Sequence, residues 1–262
     1  MKHRFRKPRR RLLLLAGSFL LLAAAGGLVL ALPKLSRFAV VARDALLDHE
    51  YFSVREIKVQ GGEKIGGSGI VAMAGLSHGM NLWKIEPRDI ENKIGRHPWV
   101  KKVLLRREFP HRIVIEVEER VPKAVLVLEK MHYVDPDGII FKEIEPADKT
   151  DYPFITGLKS AELASQPQSF RQKLRDAVGL SDLMAEELFP ISEIHFSPGG
   201  EVVLYPISHP VALNMGWGDW PEKIMRIRKV WNEWKGKERH LLTLNAGFKH
   251  QVIVRLKKTS HG

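Results

Sequence analysis

Apolar residues recur along this chain at two spacings, helical and strand-like, after one long run with no periodicity. From Leu12 to Leu32 no charged side chain occurs, and Ser18 is the only polar one. Wound as a helix, the run is roughly 31 Å long, matching the ~30 Å hydrocarbon core of a bilayer. It is rich in Leu, and each Leu favours insertion by roughly 0.3–0.6 kcal/mol. The pattern predicts a transmembrane helix over 12–32. The competing reading is a cleaved signal peptide with Ala23-Ala24-Ala25 before Gly26 as the small-residue cleavage site, although the apolar run continues unbroken to Leu32.

Helical spacing follows over 33–50, where Leu35, Phe38, Val41, Ala42, Ala45 and Leu46 form one stripe of a stalk. Asp44 and Asp48 on the polar side argue against a helix lying in the membrane plane. The rhythm then shortens to two. Phe52 to Val59 alternates as a strand and ends at Gly61-Gly62. Ser68 is placed to cap a short helix that stops at Gly75, and Pro87 opens another carrying Ile90 and Ile94 inward. Trp99–Arg107 and Arg112–Glu119 read as strands around a Phe109-Pro110-His111 turn, with Trp99 among the buried determinants of the sheet. The order β-α-α-β-β over 51–120 is an α+β domain with two helices on one face of a three-stranded sheet.

Val121-Pro122 marks a boundary, and 121–258 reads as a second, mostly antiparallel β domain with two helices, followed by a tail over 259–262. Its strands fall at Ala124–Leu128, His132–Asp135, Ile139–Lys142, Glu193–Phe196, Glu201–Tyr205, Val211–Met215, Leu241–Leu244 and Gln251–Leu256. Its helices are Ser169–Leu188 and a second one running to Trp234, with Asp219 and Glu222 spaced as a capping box.

Charge sets the topology. The net charge is +12, and seven Lys and Arg side chains with no acid occupy residues 1–11. A basic excess beside an apolar run is a topology signal: it holds the amino-terminal tail in the cytoplasm and places the chain after Pro33 outside. The remaining excess is mild, which disfavours nucleic acid as a partner. There is no cysteine, so disulfides, thiolate metal sites and cysteine nucleophiles are excluded.

Candidate chemistry is sparse. Gly61 to Ser68 lies between strand and helix like a phosphate loop, but Gly67 stands where the phosphate-binding Lys is needed, which leaves a turn. Asp135-Pro-Asp137-Gly138 begins like a calcium loop and lacks the later ligands, so it reads as a hairpin turn. No H-E-x-x-H or G-x-S-x-G arrangement occurs. No catalytic, cofactor or metal residue is assigned, and the chain is read as non-enzymatic. An exported cell-wall enzyme and a chaperone for secreted chains are the alternatives. The last strand is the candidate site: Gln251, Val252, Ile253, Val254, Arg255, Leu256 and Lys257 lie near the carboxyl end, where a strand can be an edge. Its cations serve equally as protection against aggregation or as the flanks of a site where a partner adds a strand.

Taken together these residues resemble the FtsQ/DivIB family of bacterial cell-division proteins. The resemblance runs through Phe52–Gly61, Ala74-Gly75, Gly79–Leu82, His97–Val100, Arg106–Pro110 and Ile113–Pro122, where the domain is similar to a POTRA domain, and through Tyr133–Gly138 and Tyr152–Gly157 beyond it. It implies a non-enzymatic scaffold of the inner membrane at the division septum, with its bulk in the periplasm. It also implies partners similar to FtsB (DivIC) and FtsL that pair with the terminal sheet edge, with no small-molecule substrate. Members commonly carry an Asp-x-Arg run in the penultimate strand, whereas this chain has Leu241-Leu-Thr-Leu-Asn-Ala-Gly-Phe248. The resemblance therefore implies the edge position and no individual contact.

Overall fold

The computed structural model describes residues 47–146, 148 and 150–257. The expected helix over 12–32, most of the stalk and the carboxyl-terminal tail lie outside the described residues. Among the described residues no helix is long and apolar enough to cross a membrane. The contacts divide the chain into two units: one comprises 66–94 and 103–117 together with the chain up to Gly61, and the other comprises 62–65, 95–102 and everything from Glu118 onward.

The first unit is built on strands β1 (Glu56–Gly61), β2 (Val100–Glu108) and β3 (Arg112–Glu119) in the order β1-β3-β2, with β1 parallel to β3. Val114 is buried along with the expected Ile113, Ile115 and Val117, so the central strand β3 does not alternate simply between buried and exposed positions. Helices α1 (Gly67–Ala74) and α2 (Pro87–Ile94) bury Ile70, Ala74, Ile90 and Ile94. Ser68 does not cap α1: Gly66 holds that position and contributes no side-chain hydrogen bond, while Gly75 closes the helix in the left-handed region. At Gly61, φ is +75° and a Cβ would collide with the Val117 carbonyl, so this crossing of β1 and β3 admits only glycine.

The second unit is one nine-stranded sheet. Its strands are β4 (Ala124–Val127), β5 (Met131–Val134), β6 (Ile140–Glu143), β7 (Phe154–Thr156), β8 (Ile191–Phe196), β9 (Val202–Pro206), β10 (Ala212–Gly216), β11 (Leu241–Asn245) and β12 (Ile253–Leu256). Their order is β12-β11-β10-β9-β8-β7-β4-β5-β6. Most neighbours are antiparallel, but β7 pairs in parallel with both β4 and β8, and β10 with β11. Three α-helices accompany the sheet where two are expected: α3 (Ser160–Ser165), α4 (Pro167–Glu187) and α5 (Trp220–Glu233). The extra one is a single short segment held by α4 through Lys173, whose ammonium lies 2.8 Å from Glu162.

Helix α4 supplies the centre of the core through Phe170, Leu174, Leu180 and Met184, packed with Leu126, Ile155, Ile194 and Leu204. Each such side chain contributes roughly 1.5–3 kcal/mol by leaving water. Gly138 sits against α4 with φ +71°, and a Cβ there would meet the Arg171 carbonyl and the Arg175 backbone. The turn that presents Gly138 is organised by Asp135, whose Oδ1 accepts from the amides of Asp137 (3.0 Å) and Ile139 (2.9 Å). Its Oδ2 accepts from Arg120 at 2.6 Å. The carboxylate that began the calcium-like pattern is thus buried and committed to the turn. Trp99 is half-buried and lies outside the three-stranded core, with its ring 5.8 Å from Tyr133, 5.3 Å from Phe141 and under the Lys64 ammonium. The capping box expected at α5 does not form: Asp219 is left-handed (φ 51°) after the Gly216–Gly218 turn and makes no side-chain cap bond.

Candidate partner-binding edge

Strand β11 forms because Leu241 and Leu244 are buried at a spacing set by an irregularity between Leu241 and Thr243. It lies parallel to β10, and the long connection that a parallel pair requires is α5. Strand β12 then returns antiparallel to β11, with Ile253 opposite Asn245, Val254 opposite Leu244 and Arg255 opposite Thr243. No described strand lies beyond β12, which makes it one end of the sheet.

Of the seven residues singled out in the sequence, four form the strand. Gln251 and Val252 precede it, and Lys257 follows it while donating its amide to the His240 carbonyl at 2.9 Å. Alternation along a strand then fixes the rest. Residues 253, 255 and 257 turn their backbone polar groups toward β11, so Val254 and Leu256 turn theirs to the open side. The side chains alternate in the perpendicular direction. Val252 and Val254 pack against the core, while Ile253, Arg255 and Lys257 stand exposed on the other face; Leu256, on the same face as Val254, is exposed at the strand's end. Among the described residues no carboxylate lies within 4.0 Å of Arg255 or Lys257. The edge therefore offers unpaired cations beside exposed aliphatic carbons.

Two cations of α5 hold this corner. Arg226 donates from Nη1 to the carbonyl of Phe248 at 2.6 Å and to that of Gln251 at 3.4 Å, pinning the connection between β11 and β12. Lys223 is buried, and its ammonium donates to the carbonyls of Met215 and Trp217, both at 2.9 Å, fixing the end of β10. Burial pushes its pKa below the ordinary lysine value. Asn245 closes the turn by accepting from the amide of Gly247 at 2.9 Å. Neither α5 cation is among the site residues read from the sequence. A Lys or Arg on an amphipathic helix ordinarily faces water, and the only available signal is that both fall within one turn of the buried Ile224 and Ile227.

Elsewhere the chemistry is modest. Thr156 Oγ1 donates to Glu193 Oε1 at 2.5 Å and lies 2.8 Å from His195 Nδ1, beside a shallow cleft of about 530 Å3 lined by Lys159, Glu162 and Lys173. These groups link neighbouring strands β7 and β8, whose register sets Thr156 against His195. Among the described residues no cluster of His, Asp or Glu is arranged to hold a metal ion.

Comparison with known proteins meets this geometry. The family model for the FtsQ-type POTRA domain matches residues 52–120. The chain is 30% identical over 222 residues to the cell division protein FtsQ of Geobacter sp. (strain M21), covering 83% of this chain and 79% of that protein. It is 29% identical over 234 residues to FtsQ of Syntrophotalea carbinolica, covering 88% and 81%. It is also 22% identical over 151 residues to the cell division protein DivIB of Geobacillus kaustophilus, covering 57% and 54%.

Proposed function

The chain belongs to the FtsQ/DivIB family of cell-division proteins, and on that premise we propose that it is a non-enzymatic scaffold of the divisome that captures a partner strand on β12. In this reading residues 1–11 stay in the cytoplasm, 12–32 anchor the chain in the inner membrane, and 33–50 form a stalk. Residues 51–120 form the POTRA domain and 121–258 the β domain that receives partners similar to FtsB and FtsL outside the membrane at the septum. The carrying observation is that β12 ends the nine-stranded sheet among the described residues, with the backbone polar groups of Val254 and Leu256 on its open side.

Such an edge binds by β-addition: main-chain pairing supplies attachment, and alternate side chains supply selectivity. Arg255 and Lys257, free of carboxylates among the described residues, favour an acidic partner segment. The test is capture of the FtsB–FtsL pair by full-length protein in detergent. Arg255→Glu with Lys257→Glu leaves the backbone intact and is expected to weaken capture about tenfold, a loss of roughly 1.4 kcal/mol. Capture that survives both this reversal and deletion of residues 250–262, in protein that remains folded, removes the edge from the interface.

A further inference from the structure

The first unit exposes a second surface that strand addition does not use. Tyr51 and Phe52, in the 3-10 turn Glu50–Phe52, meet Trp83 of the 3-10 turn Leu82–Lys84 and Phe109 of the β2–β3 turn. The rings run in series, with centroids 5.3 Å apart for Tyr51–Phe52, 5.8 Å for Phe52–Trp83 and 4.5 Å for Trp83–Phe109. They touch one another yet remain open to solvent: Tyr51 is 57% exposed, Trp83 41% and Phe109 49%. A contiguous exposed aromatic patch marks a binding surface, whereas scattered apolar residues do not. Its position is fixed, because Asn81 donates to the Leu47 carbonyl at 2.7 Å and Lys84 pairs with Asp48 at 2.8 Å.

We infer that this patch rests in the headgroup region of the bilayer that holds the chain's own 12–32 segment. The inference rests on the anchor reading given above. Four observations commit it to lipid. The patch begins at Tyr51, where the chain arrives from its membrane-proximal end. Only about 14 residues separate Leu32 from Leu47, a reach of roughly 21 Å as a helix and about 50 Å at full extension. The composition is Trp, Tyr and Phe, with the Arg107 guanidinium 6.0 Å from the centre of the Trp83 ring. Trp and Tyr favour the membrane–water interface because one part of the ring system is apolar and another is polar. Lys84 is paired with Asp48 and Arg112 with Glu56 and Glu108, while Arg107 stands over the Trp83 ring, so the rings rather than a set of free cations are the contact.

The absence of cysteine allows single-site spin labelling of the full-length chain. In vesicles of phosphatidylcholine alone, a label at Tyr51→Cys is expected to collide several-fold less with a water-soluble relaxation agent than one at Ile207→Cys, an exposed site of the second unit. A label at Leu22→Cys reports the anchor independently. If the Leu22 label is in lipid and the Tyr51 label is as hydrated as the Ile207 label, the inference is overturned and the anchor stands. If the Leu22 label is itself hydrated, the anchor reading falls and the inference with it. Adding Trp83→Ser and Phe109→Ser to Tyr51→Cys is expected to return the label to water. A label that stays at lipid depth despite those changes shows that the rings are not the contact.

Discussion

The two ends of the nine-stranded sheet solve the same problem in opposite ways. Both β6 and β12 are four residues long and carry basic side chains, as exposed edges commonly do. At β6 the charges are turned back into the protein. Lys142 lies 2.8 Å from Asp148 and 3.3 Å from Glu145, and Glu143 is bridged by Lys130 at 2.7 Å. At β12 the corresponding cations have no such partners among the described residues, and Ile253 and Leu256 stand half-exposed beside them. A lysine on an edge is therefore not diagnostic. What distinguishes the two edges among the described residues is that the charges of β6 are neutralised within the protein and those of β12 are not.

The contrast fails most visibly if β12 is not seated on the common core. Leu244→Ala on β11, fully buried directly behind Val254, is expected to cost about 2–5 kcal/mol in chemical denaturation. A loss under about 0.5 kcal/mol, the range of an ordinary surface substitution, would mean that the edge is only loosely attached. Arg226→Met tests the pin with a smaller effect. Removing a charge-assisted donor from the Phe248 and Gln251 carbonyls is expected to destabilise the corner locally by about 1–2 kcal/mol. Hydrogen exchange at the Lys257 amide should then quicken, while the Tyr133 amide of β5 is unchanged. Equal acceleration at both would show that the pin acts on the whole sheet. The smallest expected effect concerns the closed edge. The hydrogen bond from Lys142, followed by one from the Glu145 amide, holds the Asp148 carboxyl below the usual aspartate range. A carboxyl with a depressed folded pKa stabilises above its unfolded value, near about 3.9, and loses that contribution as the pH falls through the folded value. Asp148→Asn should therefore lower the melting temperature slightly at pH 7, and the gap from the parent should close as the pH falls below the ordinary aspartate range. A gap independent of pH would assign the effect to packing.

Much of the second sheet was legible because its strands declare themselves locally. Leu241 with Leu244, and the alternation through Ile253–Leu256, depend only on which side chains face the core. Parallel partners are harder. Strand β7 has three residues with only Ile155 buried, too short for a period, and it pairs with β4 and β8 far along the chain. Capping misled for a related reason. Ser68 and Asp219 have suitable side chains, but the neighbouring Gly66 and the Gly216–Gly218 turn fix backbone angles that take those positions out of capping geometry. The candidate edge could be placed from its position at the chain's end, whereas its supports could not: Arg226 and Lys223 act on carbonyls through distances that no sequence spacing encodes.

The shortness of β12 bears on how long any attachment lasts. Val254 and Leu256 together present two amides and two carbonyls, so an added strand gains at most about four main-chain hydrogen bonds, each worth about 0.5–1.5 kcal/mol net. Their sum, about 2–6 kcal/mol before the cost of association, corresponds to dissociation constants between about 40 μM and about 30 mM. A contact of that kind dissociates quickly when it stands alone. Confinement of both proteins to one membrane surface raises the effective concentration of the second partner, and with it the fraction of time bound, without any new contact. If β12 receives partners as proposed, a brief edge contact of this kind would let them exchange at the division site, with occupancy set by how many are gathered there.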